Sequence, residues 1–443
     1  MRRILSTVTA DSNVVERLTQ IYRTFKHNLI AVMEYESKPY LGPIHFLRDS
    51  GRMGLFKNIG GDETVFWNSV APHGDRHPRY RRRSLYLHIR RTRKRCRKES
   101  GASMIGVLGS SGHVGSLLAD MLKAKGYELR LGSRSAGFIV NMTDPSSLSR
   151  FLDGCDAVVN CAGPAYLLSE PAARTAISSG VAYFDVAGCE NLCKTLADES
   201  AETPVVFSAG MVPGLSGLLL KMAISANKGQ DIVGFAGGVQ DISLGAAADL
   251  VLSMSDTSGY GNNGSMWRSG AVRELDHDPT PAPSCFPEGS FCRAFLSEEA
   301  RVIAEKEALP RLEWYNVFVG DLFCKALVDA QLSKTQSLEE ASKKISIAAS
   351  IDAMGRQAFY TLAATSGEMA YIVKSADSYE LTAAVACYAI ESFLAGSIPN
   401  GVYNLPDLLD PELAIYGILS LSKSARIEIA PSKSLFEVEE GEL

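Results

Sequence analysis

A short apolar run, Ile105-Gly106-Val107-Leu108, opens directly into Gly109-Ser110-Ser111-Gly112-His113-Val114-Gly115, and no other stretch limits the possible folds as sharply. Such a run suits a parallel strand buried on both faces. Ser116 to Lys125 then reads as a helix with Leu117, Leu118, Met121 and Leu122 on its apolar side, and Gly126 is placed to end it. Tyr127 to Leu131 reads as a second strand. In this βαβ order each glycine has a job: one makes the tight turn, one lets backbone approach a pyrophosphate, one lets helix and strand pack closely. The helix N-terminus adds free N–H groups and a positive dipole end for phosphate. Gly109, Ser110, Ser111, Gly112, His113, Val114 and Gly115 are therefore expected to hold a dinucleotide.

The choice of dinucleotide is read at the end of the second strand. Enzymes that use NAD usually place an acid there for the ribose hydroxyls. This chain has Gly132-Ser133-Arg134-Ser135 instead. With no acid to repel a 2′-phosphate, Ser133 and the guanidinium fork of Arg134 favour NADP (NADPH) over NAD.

Charge divides the chain. Residues 1–100 carry 21 Lys and Arg against 9 Asp and Glu, whereas residues 101–443 carry 24 against 41, within a total of −5. A split this large suggests pieces of different origin. Residues 76–98 hold twelve Arg or Lys and no acid. Aromatic interleaving is thin and no helix-turn-helix or zinc pattern surrounds the run, so a self-repelling linker over 76–103 is expected rather than a nucleic-acid surface. The nine cysteines include no CxxC pair, and no metal site is expected. No apolar run of about 18 residues appears, and no apolar core follows the basic start, so a cytoplasmic chain without membrane contact is expected.

Upstream, Lys38-Pro39-Tyr40-Leu41-Gly42-Pro43-Ile44-His45-Phe46-Leu47-Arg48 is followed by Asp62 to Val70 with its Phe66-Trp67 pair. This order resembles the C-terminal end of a thioesterase domain of nonribosomal peptide synthetases. The segment lacks the G-x-S-x-G nucleophile elbow, so the resemblance implies a remnant over residues 1–75 without ester hydrolysis of its own.

Three further segments carry a second resemblance: Val158-Val159-Asn160-Cys161-Ala162-Gly163-Pro164, Gly180-Val181-Ala182-Tyr183-Phe184-Asp185-Val186-Ala187-Gly188, and Ser208-Ala209-Gly210-Met211-Val212-Pro213-Gly214. They are similar to the saccharopine dehydrogenase-like family, whose members carry V-V-N-x-A-G-P, G-x-x-Y-x-D-x-x-G and x-A-G-x-x-P-G in this order. The resemblance runs from about Met104 to Leu419. It implies an α/β chain: a Rossmann dinucleotide-binding domain (104–225), an α+β substrate domain (226–340) inserted before the C-terminal helices, and those helices completing the fold (341–443). It also implies that Ala162, Gly163 and Pro164 line the nicotinamide side of the cleft. Glutamate-forming members have an aspartate where this chain has Val212 and a cysteine where it has Ala236. Their substrate is thereby put in doubt.

Residues 230–327 read as strand-like runs between Gly-, Ser- and Pro-rich loops, and Ser337–Met354 and Tyr379–Leu394 read as helices. For the proton partner of a hydride transfer the candidates are Tyr183 and Asp185 first, then Tyr260, His277 and Tyr315. Asp185 also reads as a helix cap. The leading expectation is an NADPH-dependent reductase acting on a C=N or C=C bond of a small or carrier-protein-bound biosynthetic intermediate. A saccharopine-type amino-acid dehydrogenase and a non-catalytic NADP-binding sensor stay open. A homodimer agrees with the family's habit, although nothing in the sequence fixes a symmetry.

Overall fold

The computed structural model describes residues 103–436 except 189, 199–201, 255–260 and 334. The thioesterase-like segment, the basic linker and Tyr260 lie outside the described residues. The first sheet grows from β1 (Met104–Leu108), α1 (His113–Ala124), β2 (Glu128–Ser133), β3 (Phe138–Ile139), α2 (Pro145–Leu152) and β4 (Ala157–Asn160). It continues through α3 (Ala165–Ser179), β5 (Ala182–Asp185), α4 (Glu190–Leu196), β6 (Pro204–Phe207) and α5 (Leu215–Ala226). Its order is β3-β2-β1-β4-β5-β6-β15, with every pairing parallel. This is the doubly wound arrangement, and the strand order reverses between β1 and β4, where such sheets bind ligands.

Helix α1 shows how local sequence makes an element. Leu118 and Leu122 are buried on the sheet side of the helix. Gly126 ends it with φ +82°, its N–H reaching the Lys123 carbonyl while the Tyr127 N–H reaches Leu122. That pair of bonds is a Schellman stop, as the glycine led one to expect.

The second sheet begins at β7 (Ile232–Val239) and has the path β10-β9-β12-β7-β13-β14-β16, with β11 and β8 joined alongside β12. Its elements are α6 (Leu244–Ser253), β8 (Gly261–Asn263), β9 (Ser265–Arg268), β10 (Ala271–Glu274), β11 (Phe291–Ser297), α7 (Glu298–Lys306) and β12 (Arg311–Phe318). After α8 (Leu322–Leu332) and α9 (Leu338–Ala353) come β13 (Phe359–Ser366), β14 (Met369–Ser375) and α10 (Ser378–Leu394). The strand β15 (Gly401–Asn404), helix α11 (Pro411–Leu419) and strand β16 (Arg426–Pro431) complete the list of regular elements.

Two expectations are corrected. The sequence reading ends the second domain at 340 and follows it with helices, yet β13, β14 and β16 are strands of the second sheet and β15 is the seventh strand of the first. The runs that form β13 and β14 are buried on both faces and give no clear apolar–polar alternation to count. Likewise 230–327 is not strand and loop alone, because α6 and α7 lie within it and α8 begins there. The helices read over Ser337–Met354 and Tyr379–Leu394 form, and the structure shows their caps: Asp377 accepts from the Tyr379 and Glu380 amides, and Ser337 forms a capping box with Glu340.

One core unites the two sheets. Ile105, Val107 and Phe184 from the first share it with Ile232, Leu312 and Trp314 from the second, and with Leu381 and Val385 of α10. Trp314 lies where a side chain on Gly234 would stand, its ring atom 2.3 Å from an added Cβ.

Candidate functional site

The glycine loop is built as tightly as its sequence requires. Gly109 has φ +75°, and a Cβ there would stand 2.8 Å from the backbone of Ala162. A Cβ on Gly115 would stand 2.2 Å from the Gly109 carbonyl oxygen, and one on Gly112 3.3 Å from the same atom. Ser110 is tied down, its N–H and Oγ both donating to the Gly132 carbonyl at 3.0 and 3.1 Å. Ser111, Gly112 and His113 are exposed. The first internal bond of α1 runs from Ser116 N to Gly112 O, so the amides of His113, Val114 and Gly115 precede the helical ladder and point out of its N-terminus. This cradle, closed to any side chain and lined with amides, fits a pyrophosphate.

At the end of β2 the two predicted residues separate in role. Ser133 is buried, and its Oγ accepts from the Ser135 and Ala136 amides and donates to the Ala136 carbonyl. It shapes the turn and has no donor left for a phosphate, which corrects the expectation of direct contact. Arg134 is exposed and has no hydrogen-bond or ionic partner among the described residues.

Ala162, Gly163 and Pro164 form the loop between β4 and α3, against Gly109. Asn160 sets that loop: its Oδ1 accepts from Ala162 N at 3.0 Å, and its Nδ2 donates to Asp185 at 2.9 Å. Asp185 also accepts from the Tyr183 hydroxyl at 2.5 Å and from Ala187 N at 2.9 Å. Tyr183 and Asp185 are both 0% exposed. Burial drives the Asp185 carboxyl above its usual range despite these bonds, and drives the Tyr183 phenol up as well. Neither can touch a substrate, so the expectation that they donate the proton is corrected. They are a buried brace for the cleft loop, because every residue of β5 is enclosed between flanking elements.

His277 and Tyr315 are set apart too. The His277 ring lies between Asp276 at 3.1 Å and Glu313 at 3.3 Å, and Tyr315 donates to Glu313. Side chains alternate along β12. Leu312 and Trp314 join the core shared with the first sheet, while Tyr315 and Val317 join a separate cluster with Phe235 and Phe286. His277 and Tyr315 thus belong to the face of the second sheet turned away from the dinucleotide loop.

Two carboxylates that the sequence did not bring forward cross into the cleft instead. Asp249 of α6 accepts from Tyr166 N at 3.3 Å at the start of α3 and lies 3.0 Å from where a Gly163 side chain would begin. Burial pushes its carboxyl up to about 6. Glu299 of α7 accepts from Gly214 N at 2.7 Å and from the Ser216 hydroxyl at the start of α5, and burial pushes it up to about 7. Each caps a helix whose own N-terminal residue, Pro164 or Gly214, supplies no side-chain cap. The only local signal for Glu299 was the Ser297-Glu298-Glu299 start of a helix. Glu299, Val212, Pro213, Ser208 and Asn404 border a cavity of about 160 Å³.

Among the described residues no group of three or more His, Cys, Asp or Glu gathers as a metal site, and no helix is long and apolar enough to cross a membrane. Residues 105–217 match the model of the NAD dependent epimerase/dehydratase family, and with the glycine cradle this makes the first domain an NAD(P)-binding domain. No curated protein matches the chain significantly. Among solved structures, the apo saccharopine dehydrogenase (L-Glu forming) from Saccharomyces cerevisiae is 12% identical with a TM-score of 0.50, over 74% of this chain and 100% of that one. A probable dehydrogenase from Thermotoga maritima is 10% identical with a TM-score of 0.37, over 75% of this chain and 97% of that one. The chain therefore shares the fold of saccharopine dehydrogenase: a parallel NAD(P)-binding sheet into which a mixed-sheet domain is inserted before the last parallel strand.

Proposed function

We propose that the protein is an NADPH-dependent reductase that transfers hydride to a C=N or C=C bond of a small or carrier-protein-bound biosynthetic intermediate. The observation that carries the reading is the pairing of an amide-lined glycine cradle with an exposed Arg134 at the end of β2 that has no partner among the described residues. An arginine held by no carboxylate among the described residues is available as a fork for a 2′-phosphate. Bound NADPH would supply the hydride. The chain's own residues do the rest: Gly109 to Gly115 would hold the pyrophosphate, Arg134 the 2′-phosphate, and the braced Ala162–Pro164 loop would back the reacting ring.

Val212 and Ala236 stand where glutamate-forming relatives of the resemblance carry an aspartate and a cysteine, which turns the reading away from saccharopine. The thioesterase-like head supports a carrier-bound substrate.

Isothermal titration of NADPH and NADH into the full chain and an Arg134→Ala variant tests the reading. NADPH should bind at least about tenfold tighter than NADH, roughly 1.4 kcal/mol, and the variant should erase the gap. Equal affinity for both nucleotides in the wild type overturns the NADP assignment. Tight NADPH binding with no turnover of imines, enoyl thioesters or saccharopine would favour a sensor.

A further inference from the structure

We propose that the cavity beside Glu299 is a subsite for a protonated amine or iminium group carried on a short alkyl body, with the Glu299 carboxylate as its counter-ion. The inference deepens the proposed reductase by favouring C=N over C=C substrates, and for that catalytic meaning it rests on the reading above.

The cavity lies outside the carboxyl ends of the first sheet: Ser208 follows β6, Asn404 ends β15, and Val212-Pro213 leads into α5. In open α/β sheets this edge is where ligands bind. Phe295, Val302 and Ile303 give it an apolar wall on the side of the second domain. At about 30 Å³ per water-sized group, its volume of about 160 Å³ accepts a body of roughly five or six non-hydrogen atoms.

Charge selects the head group. The carboxylates around the cavity are matched by cations, with one exception. Glu298 is gripped by Arg301 at 2.8 and 2.9 Å, and Asp407 by Lys221 at 2.6 Å and Lys306 at 2.8 Å. Glu190 accepts from Asn404 at 3.1 Å and faces Lys194 at 3.9 Å. Glu299 has only the Gly214 amide and the Ser216 hydroxyl as hydrogen-bond partners and no cation in contact among the described residues; Lys221, held by Asp407, acts on it only through space. A carboxylate in an apolar wall without a counter-ion is costly, and a cationic ligand removes that cost. An anionic ligand would add to it. Val212 opens the other side of the same cavity, where an acid at that position would have competed for the cation.

Burial drives the Glu299 carboxyl up to about 7. Its charge, and with it the affinity for an alkylammonium ion, therefore grows as pH rises from 6 to 8. Among its charged neighbours, Lys221 and Lys306 hold the Asp407 carboxyl below its usual range despite burial, and Glu298 and Glu190 are paired with Arg301 and Lys194.

The experiment titrates n-butylammonium chloride into the full chain saturated with NADPH at pH 8, by calorimetry and saturation-transfer NMR. Sodium butyrate and n-butanol serve as comparators. Glu299→Gln keeps an acceptor for Gly214 but removes the charge. Val212→Phe leaves Glu299 intact and fills the cavity from its exposed side. Butylammonium should bind the wild type, bind each variant at least about tenfold more weakly, and outcompete butyrate. Unchanged affinity in both variants, or no binding by a chain that binds NADPH, overturns the subsite and leaves Glu299 a cap for α5. If NADPH itself fails to bind, the cofactor reading falls, and the same amine titration without nucleotide still decides the cavity.

Discussion

Gly115→Ala puts the smallest possible side chain into the nucleotide cradle, and the geometry fixes what must follow. The new methyl would stand 2.2 Å from the Gly109 carbonyl oxygen, 2.8 Å from the Gly109 carbonyl carbon and 3.0 Å from Ser110 Cα. All three are backbone atoms of a loop pinned to Gly132, so no flexible side chain can swing away. Ordinary contact requires the start of α1 to retreat by about 1 Å, and overpacking of this kind costs about 1–3 kcal/mol. The amides of His113, Val114 and Gly115 retreat with it. Each charge-assisted bond they make to a phosphate is worth about 1.5–3 kcal/mol, so loss of even one weakens NADPH binding by at least about tenfold. Gly126→Ala is the matched control. Its strain comes from φ +82° and not from a clash, since its methyl meets nothing within 4 Å, and it sits at the far end of the same helix. Thermal denaturation should show both variants destabilised, and calorimetric titration should show only Gly115→Ala losing NADPH. If Gly115→Ala binds NADPH as the wild type does, the cradle does not hold the pyrophosphate.

Three other outcomes are expected. Tyr183→Phe removes a donor from the buried Asp185 carboxyl and should cost roughly 1–3 kcal/mol in urea denaturation, with NADPH affinity changed far less; a large loss of turnover at unchanged stability would restore Tyr183 as a catalytic group. Leu122→Ala in the fully buried seam between α1 and α10 should cost about 2–5 kcal/mol, and an effect near zero would mean that the helix does not pack there. The raised carboxyls of Asp249 and Glu299 bind protons in the folded state that the unfolded chain has already released, so they make stability fall as pH rises from about 4 through 6 and 7; Asp249→Asn should flatten the lower part of that slope and Glu299→Gln the upper part in a series of denaturant titrations.

What could be read from the sequence was what neighbouring residues decide among themselves. The cradle is a seven-residue problem of sterics, and Gly109, Gly112 and Gly115 announce it. The helices read from Ser337 and from Tyr379 begin within a residue of those positions, because a cap is a matter of three or four neighbouring residues. β15 was not legible because Gly401-Val402-Tyr403-Asn404 is too short to carry a pattern, and its only reason to be a strand is β6, on the other side of the inserted domain. Asp185 misled for a related reason. The sequence shows an acid at a strand end, where sites gather, and cannot show that Asn160 of β4 lies beside it and that α3 closes over it with Ser169, which accepts from Tyr183. Ser133 looked like a phosphate ligand because its three partners, all within the turn, are backbone groups common to every residue.

The same limit explains why the two cleft carboxylates went unread, and it points to how the cleft is made. Asp249 and Glu299 come from helices of the second domain, yet the groups they satisfy belong to the first: the opening amides of α3 and α5. Those helices begin with Pro164 and Gly214, the ends of the two loops that border the cleft, and neither residue can cap its own helix with a side chain. The unsatisfied amides of a helix start must find an acceptor, and here the acceptors arrive only when the inserted domain folds onto the sheet. Each loop that would face the cofactor and its substrate is therefore held from behind by the domain opposite. A substitution that loosens α6 or α7 from the second sheet reaches the cleft through these two carboxylates without altering any residue that lines the nucleotide loop.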